Sequence, residues 1–160
     1  MRLEIVSSGE TETVCIGRCI GGLLRGGEII LLDSDLGGGK TALTRGLAEG
    51  IESSDDVTSP TFAINQTYTG KNLRIHHYDL YRLDTLGETE FEMQEFLNDP
   101  KAVLVIEWPR LAEPVLVNKD KITIKINRQK SAVDERLIII EYPDSLEYAI
   151  DADKLEDHPC

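Results

Sequence analysis

Long uninterrupted runs of apolar residues are missing from this chain of 160 residues. A membrane-spanning helix needs about 20 consecutive apolar residues, and no window of the sequence approaches that length. The first residues, Met1 to Val6, form a short apolar run that contains an acidic residue, which is typical of a β-strand and not of a signal peptide. The sequence therefore predicts a cytoplasmic protein that does not associate with a membrane.

Positively charged residues are also scarce, since 17 Lys and Arg stand against 29 Asp and Glu and give a net charge of −12. Proteins that bind nucleic acid neutralise its phosphates mainly with Lys and Arg, and this chain has no basic run. We therefore expect no direct high-affinity binding to nucleic acid. Acidic residues are concentrated in 143–160, which predicts either a solvated tail or a docking segment for a basic partner surface.

The hydrophobic pattern predicts one α/β domain over residues 1–142, followed by the acidic C-terminal tail at 143–160. The predicted strands cover residues 2–6, 28–33, 62–69, 73–79, 101–107, 120–127 and 136–142, and the predicted helices cover 10–24, 40–51 and 84–98. Turn residues between the strands over 62–69 and 73–79 predict an antiparallel hairpin. We therefore expect a mixed β-sheet with a central antiparallel hairpin, flanked by helices.

A glycine-rich loop connects the apolar strand over 28–33 to the next helix. Its sequence is Ser34-Asp35-Leu36-Gly37-Gly38-Gly39-Lys40-Thr41, close to the P-loop pattern Gly-x₄-Gly-Lys-Ser/Thr. Glycines let several backbone N–H groups point at one phosphate, and the helix N-terminus adds its dipole. Lys40 is predicted to reach the β- and γ-phosphates of a nucleoside triphosphate, and the Thr41 hydroxyl to bind Mg²⁺. The expected fold is therefore a single P-loop NTPase-like domain.

Ser34 stands at the position of the first P-loop glycine. A serine can follow the strand if its φ angle stays negative. We therefore expect a slightly altered entry into the loop and a site that is retained.

Two acidic residues, Asp79 and Glu107, end predicted strands and are candidates for a second Mg²⁺ anchor and for orienting the attacking water. Ligands of open α/β sheets bind beyond the carboxyl ends of the strands, so both carboxylates are expected near the P-loop. Strand-end acids also form turns and cap helices, and spacing alone leaves that alternative open. For Ser59-Pro60-Thr61, a hydroxyl that senses the γ-phosphate and a rigid turn are likewise both possible.

Four short motifs occur together in a recognisable order. They are Asp35-Leu36-Gly37-x-Gly39-Lys40-Thr41-x-Leu43-x-Arg45-Gly46, Ser59-Pro60-Thr61, His77-x-Asp79-Leu80-Tyr81-Arg82 and Ile106-Glu107-Trp108. Across about residues 8–127 the chain resembles the TsaE (YjeE) family, the bacterial ATPases of tRNA threonylcarbamoyladenosine biosynthesis. It departs from that family's pattern at Ser34, where glycine is usual, and at Gly38, where alanine is common.

The resemblance implies a weak ATPase that uses ATP and Mg²⁺ and is stimulated by partners. The implied partners are TsaD- and TsaB-like proteins, which transfer threonylcarbamoyl to adenosine 37 of tRNA, while the ATPase resets the transferase between turnovers. The site residues that it implies are Lys40, Thr61 and Glu107 for catalysis, Thr41, Asp79 and Glu107 for the metal, and Ser34 to Thr41 with Trp108 for the nucleotide.

Two other functions compete with an ATP hydrolase that serves this complex as an accessory subunit. A nucleotide-dependent binding module would hold ATP without productive hydrolysis. A small-molecule kinase would need arginines that clamp the transferred phosphoryl group. The arginines after the P-loop helix are few and scattered, namely Arg74, Arg82, Arg110, Arg128 and Arg136, so the sequence favours the hydrolase over the kinase.

Overall fold

The computed structural model describes residues 1–60, 62–129 and 134–156. Its strands are β1 (Arg2–Ser7), β2 (Ile29–Ser34), β3 (Asn65–Thr69), β4 (Arg74–Asp79), β5 (Ala102–Glu107), β6 (Ile122–Arg128) and β7 (Arg136–Glu141). Its α-helices are α1 (Glu10–Gly21), α2 (Lys40–Gly50), α3 (Glu88–Phe96) and α4 (Ala152–Glu156), and 3₁₀ turns lie at Pro109–Leu111 and Asp144–Ala149. The predicted strands and helices are confirmed in type and order, although α1 and α3 are shorter than expected and β3 begins at Asn65 and not at residue 62. In these ranges we find no helix with the length and apolar character needed to cross a membrane.

The strands form one mixed sheet in the order β1-β7-β6-β2-β5-β4-β3. The four strands β6, β2, β5 and β4 run parallel to one another, whereas β1, β7 and β3 each run antiparallel to their neighbours. All six residues of β5 are buried, as are the first four of β2. Strands that are apolar on both faces need cover on both sides, which explains why β2 and β5 lie in the middle of the sheet.

The β3–β4 hairpin lies at one edge of the sheet, so the expectation of a central hairpin is wrong. Within the described part of the chain β3 pairs with β4 alone, and β4 pairs on its other side with β5. Most of β3 is polar and only partly buried. Burying such side chains in the middle of a sheet would cost free energy unless each found a hydrogen-bond partner, and an edge position leaves them in contact with water.

Helices α1 and α2 pack so closely that their backbones are in contact. The contact is formed by Gly17 and Gly21 of α1 and by Gly46 and Gly50 of α2. A Cβ atom at Gly46 would lie 2.0 Å from the carbonyl oxygen of Val14, so only glycine fits there. This pairing fixes α2, and with it the loop that leads into α2, against α1.

The C-terminal segment contributes to the larger hydrophobic core, which also contains residues of the sheet, α1 and α2. Its buried side chains are Leu146, Ala149, Ile150 and Leu155. The expectation of a solvated tail is therefore wrong for these residues, because the apolar side chains between the acids find a place on the core. Residues 157–160 of the predicted tail lie outside the described residues.

Candidate active site

A cavity of about 290 Å³ opens at the carboxyl ends of the parallel strands. Among the residues predicted for the site, those that line it are Leu36 to Thr41, Asp79, Glu107 and Trp108. Ser34 and Asp35 do not line this cavity and form the entry to the loop. Thr61 lies outside the described residues, but Ser59, two positions earlier in the sequence, lines the cavity.

The loop that follows β2 depends on glycine at two positions. Gly37 and Gly39 have φ angles of +71° and +116°, in a region that side chains with a Cβ rarely adopt. Gly39 is also the N-cap of α2, so the backbone turns directly from the loop into the helix. Ser34 ends β2 and is not among the described residues with positive φ, as expected for a serine that retains the loop.

The side chain of Ser34 occupies the space beside Gly38. Its Oγ donates a hydrogen bond to the carbonyl oxygen of Asp35 at 2.9 Å. A Cβ atom at Gly38 would lie 2.2 Å from this Oγ, which is far below contact distance. The two departures from the family's pattern are therefore complementary in volume, since the serine fills space that a larger residue at position 38 would need.

Lys40 is buried, and the loop that it follows wraps around its ammonium group. Its Nζ donates to the carbonyl oxygens of Ser34 and Asp35 at 3.0 and 3.2 Å, and it lies 4.8 Å from the centre of the Trp108 ring. Burial lowers the pKa of Lys40, and the carboxylates of Glu107 and Asp79 act in the opposite direction. An anion in the cavity would offer the ammonium a stronger, charge-assisted hydrogen bond than these carbonyl groups do.

Two arginines from the far end of the chain hold the carbonyl groups of the loop. Arg128 Nη2 donates to Gly37 O at 2.8 Å, and Arg136 Nε donates to Gly38 O at 3.2 Å. In a trans peptide the N–H points away from the C=O, so these contacts also fix the direction of the next N–H groups. The sequence carries no signal for either contact, because the partners are 91 and 98 residues apart.

Asp79 and Glu107 lie side by side at the same edge of the sheet. They are partners in the parallel pairing of β4 with β5, and only 5% and 3% of their surfaces are exposed. Asp79 Oδ1 accepts a hydrogen bond from the backbone N–H of Tyr81 at 3.0 Å. Both carboxylates line the cavity together with Thr41.

This set of oxygen donors fits the way in which nucleotide enzymes bind Mg²⁺, through one or two carboxylates, phosphate oxygens and water. Within residues 1–60, 62–129 and 134–156 no group of three or more His, Cys, Asp and Glu side chains is placed to hold a metal ion. A cation at this site would therefore depend on the Thr41 hydroxyl and on oxygens of the ligand, in addition to the carboxylates.

Glu107 is the first member of a buried chain of polar contacts. Its Oε1 lies 2.8 Å from Nε2 of His77, and Nδ1 of His77 lies 3.2 Å from the Tyr68 hydroxyl. The Tyr68 hydroxyl lies within hydrogen-bond distance of Gln66 Oε1, at 2.8 Å, and of Thr58 O, at 3.2 Å. Burial, and then the charge of Glu107, raise the pKa of Tyr68 to about 12, so its hydroxyl stays protonated near neutral pH. Side chains alternate between the two faces of β4, so His77 lies on the same face as Asp79. This alternation is the only feature of the sequence that points to the chain of contacts.

Trp108 follows Glu107 with an unusual backbone conformation. Its φ angle is +55°, which is uncommon for a residue with a bulky side chain and costs free energy that the surrounding structure has to supply. Its ring lies 4.9 Å from that of Tyr81, at an angle of 47°, and also faces the ammonium of Lys40. The only tryptophan of the chain therefore forms part of the cavity wall.

Comparison with known proteins relates both the sequence and the fold of this chain to one protein family. The sequence profile of the family "Threonylcarbamoyl adenosine biosynthesis protein TsaE" matches residues 7–138. The chain is 34% identical over 127 residues to the tRNA threonylcarbamoyladenosine biosynthesis protein TsaE of Bacillus subtilis (strain 168). These 127 residues cover 79% of this chain and 77% of that protein. The protein of the same name from Rickettsia conorii is 31% identical over 156 residues, or 95% of this chain and 86% of the relative. The fold is similar to that in the crystal structure of Bacillus subtilis YdiB, with a TM-score of 0.75 and 27% sequence identity. The match covers 100% of this chain and 97% of the YdiB chain.

Proposed function

The chain belongs to the TsaE family of tRNA threonylcarbamoyladenosine biosynthesis proteins, and on that premise we propose that it hydrolyses ATP in this pathway. One observation carries the proposal. A single cavity combines a glycine-rich loop, a buried lysine and two strand-end carboxylates. Hydrolysis of a nucleoside triphosphate needs these groups to hold the phosphates, neutralise their charge and orient the attacking water.

Each group has a separate role in the proposed reaction. The N–H groups of the loop and the Lys40 ammonium bind the β- and γ-phosphates, and Lys40 exchanges its contacts with Ser34 and Asp35 for phosphate oxygens. Thr41 and Asp79 are the residues that would hold Mg²⁺, which neutralises negative charge on the phosphates when it is bound. Glu107 accepts a hydrogen bond from the attacking water and directs it at the γ-phosphorus. Its assignment as a further metal ligand stays a prediction.

We also propose that the hydrolysis is coupled to partner proteins of the TsaD and TsaB type. The net charge of −12 makes direct contact with tRNA phosphates unfavourable, so a partner would have to hold the tRNA. Thr61, whose hydroxyl is predicted to sense the γ-phosphate, follows Ser59 by two positions in the sequence, and Ser59 lines the cavity. This role stays a prediction.

The first test is a titration of the purified protein with ADP and ATP, with and without Mg²⁺. Binding is followed by the fluorescence of Trp108 and checked by calorimetry. Replacing Lys40 with alanine is expected to weaken binding on the order of 100-fold, because a buried charge-assisted contact is lost. Lys71→Ala removes the same charge from an exposed position in the hairpin turn and should leave the affinity unchanged. If the wild-type protein shows no saturable signal by either method, the proposed nucleotide site is refuted.

A second prediction concerns the arginine that holds the loop. Replacing Arg128 with alanine is expected to weaken nucleotide binding by about 3- to 10-fold, because the Gly37 carbonyl loses a charged donor and the loop is less preorganised. Calorimetry measures the change. Arg74→Ala is the matched control, because it removes an arginine whose ion pair is with Asp99 and not with the glycine-rich loop. Equal affinity of the Arg128 variant and the wild type would show that the loop does not need this contact.

A further inference from the structure

We propose that His77 and Tyr68 are positioning residues that couple the Glu107 carboxylate to the loop around Thr58 and Ser59. The inference rests on the proposed function, in which Glu107 orients the attacking water. It concerns two side chains that do not line the cavity themselves but that determine how a cavity residue is held.

The contacts form a closed path that begins and ends at the same cavity. Glu107 lines the cavity and contacts His77, at 2.8 Å, and His77 contacts Tyr68 at 3.2 Å. Tyr68 in turn contacts the carbonyl oxygen of Thr58 at 3.2 Å. The next residue, Ser59, lines the cavity again. A ligand that moves the backbone at Thr58 and Ser59 therefore acts on Glu107 through two side chains.

The side chains that form this path are buried, which protects their contacts from replacement by water. His77 is fully buried, and Tyr68 and Glu107 are 2% and 3% exposed, so water cannot easily replace a lost partner. Each ring nitrogen of His77 faces one partner, Nε2 towards Glu107 and Nδ1 towards Tyr68. Because the contact to His77 uses Oε1 of Glu107, it restricts rotation of the carboxylate and leaves Oε2 for the water.

The neighbouring histidine shows what a purely structural role looks like in the same strand. His76 points to the opposite face of β4, where its ring stacks on Phe96 at 3.5 Å and an angle of 6°. Its Nδ1 lies 2.9 Å from the hydroxyl of Thr67. Both histidines are buried, but only His77 contacts Glu107. The chain therefore provides a matched control at the adjacent position.

The kinetic experiment compares variants of both histidines in the full-length protein, with its partners if these are needed for turnover. His77→Leu is expected to lower kcat about 100-fold, because misplacing a catalytic group by about 1 Å costs that much, while nucleotide affinity stays within about threefold. His77→Gln, which retains a donor towards Glu107, should recover at least about tenfold of this loss. His76→Leu should leave kcat within about threefold of the wild type.

Tyr68→Phe keeps the experiment decisive if His77→Leu does not fold. It removes one oxygen atom from the path and is expected to lower kcat about tenfold at unchanged affinity. Tyr78→Phe makes the same change at a buried tyrosine in the smaller hydrophobic core and should have no such effect. Normal kcat in Tyr68→Phe, and in His77→Leu where that variant folds, would overturn the proposed coupling, provided that the wild type hydrolyses ATP.

A spectroscopic measurement tests the coupling independently of hydrolysis. The chain has three histidines, so nitrogen NMR of the imidazole rings can be assigned with single variants. Addition of ADP and Mg²⁺ is expected to shift the signals of His77 and to leave those of His76 unchanged. Tyr68→Phe should reduce the shift at His77. If the wild type shows no ATP hydrolysis and the signals of His77 still respond to the ligand, the proposed activity fails and the coupling stands. If His77 does not respond to the ligand, the coupling is refuted whatever the rates.

Discussion

Replacing Glu107 with glutamine is expected to lower kcat for ATP hydrolysis by about 100- to 1,000-fold and to leave nucleotide affinity within about threefold. Glutamine has nearly the same shape as glutamate but lacks the negative charge that orients a water molecule for attack. Binding should be preserved because, in the proposed site, the loop and Lys40 hold the phosphates. The measurement is the rate of phosphate release at saturating ATP, together with calorimetry at the same pH.

One side effect of this substitution has a known sign. The Glu107 carboxylate opposes the lowering of the Lys40 pKa by burial, so its removal lowers that pKa further. Any loss of affinity in Glu107→Gln should therefore grow as the pH rises, because the ammonium is deprotonated more readily. Comparing the affinity at two pH values separates this effect from a general loss of structure.

The control for Glu107→Gln is Glu113→Gln, which removes a charge from an exposed carboxylate six positions later in the chain. It should change neither kcat nor affinity. If Glu107→Gln loses affinity and kcat to the same extent, Glu107 has a structural role and not the proposed catalytic one. If the wild type itself shows no turnover even with its partners, the chain is a nucleotide-dependent binding module.

Replacing Gly46 with alanine is expected to lower the free energy of unfolding by about 3 kcal/mol, at the upper end of the usual cost of overpacking. The new Cβ would lie 2.0 Å from Val14 O and 2.7 Å from Arg18 N. Both are backbone atoms, so no side-chain rotation relieves the contact and the helices must move apart. For a protein of this size the melting temperature should fall by about 6 to 12 °C.

Thermal unfolding followed by circular dichroism measures the effect of Gly46→Ala, and Gly22→Ala is its control. Gly22 follows the last residue of α1 and has a φ of −68°, and a Cβ there would lie 3.4 Å from its nearest neighbour. The control should therefore retain the wild-type melting temperature to within a few degrees. Equal stability of Gly46→Ala and wild type would show that the contact between α1 and α2 is looser than the structure indicates.

Local sequence patterns predict the parts of this molecule that depend on local physics. The glycine-rich loop is recognisable because Gly37 and Gly39 must adopt positive φ angles immediately before a helix. The strands β2 and β5 are recognisable because both of their faces are apolar. Asp79 and Glu107 are predicted to converge because the carboxyl ends of parallel strands meet at one edge of a sheet.

Features that depend on contacts between distant segments could not be predicted in this way. The hairpin lies at the edge of the sheet because the more apolar strands β2 and β5 occupy its centre. That order depends on all the strands together and not on the sequence of the hairpin alone. The contacts of Arg128 and Arg136 with the loop require β6 and β7 to pass beside it. The burial of Leu146 depends on a surface formed by the rest of the fold, and an acidic composition gives no indication of it.

The complementary volumes of Ser34 and Gly38 restrict the order in which these two positions can change during evolution. With Ser34 in its observed conformation, the methyl group of an alanine at position 38 would lie 2.2 Å from Ser34 Oγ and 2.9 Å from Asp35 O, so the serine side chain or the loop would have to shift. A path that has glycine at position 38 whenever serine is present at position 34 avoids that crowded state. The effect of a substitution at either position thus depends on the residue at the other, and a mutational scan that scores each position alone would misjudge both.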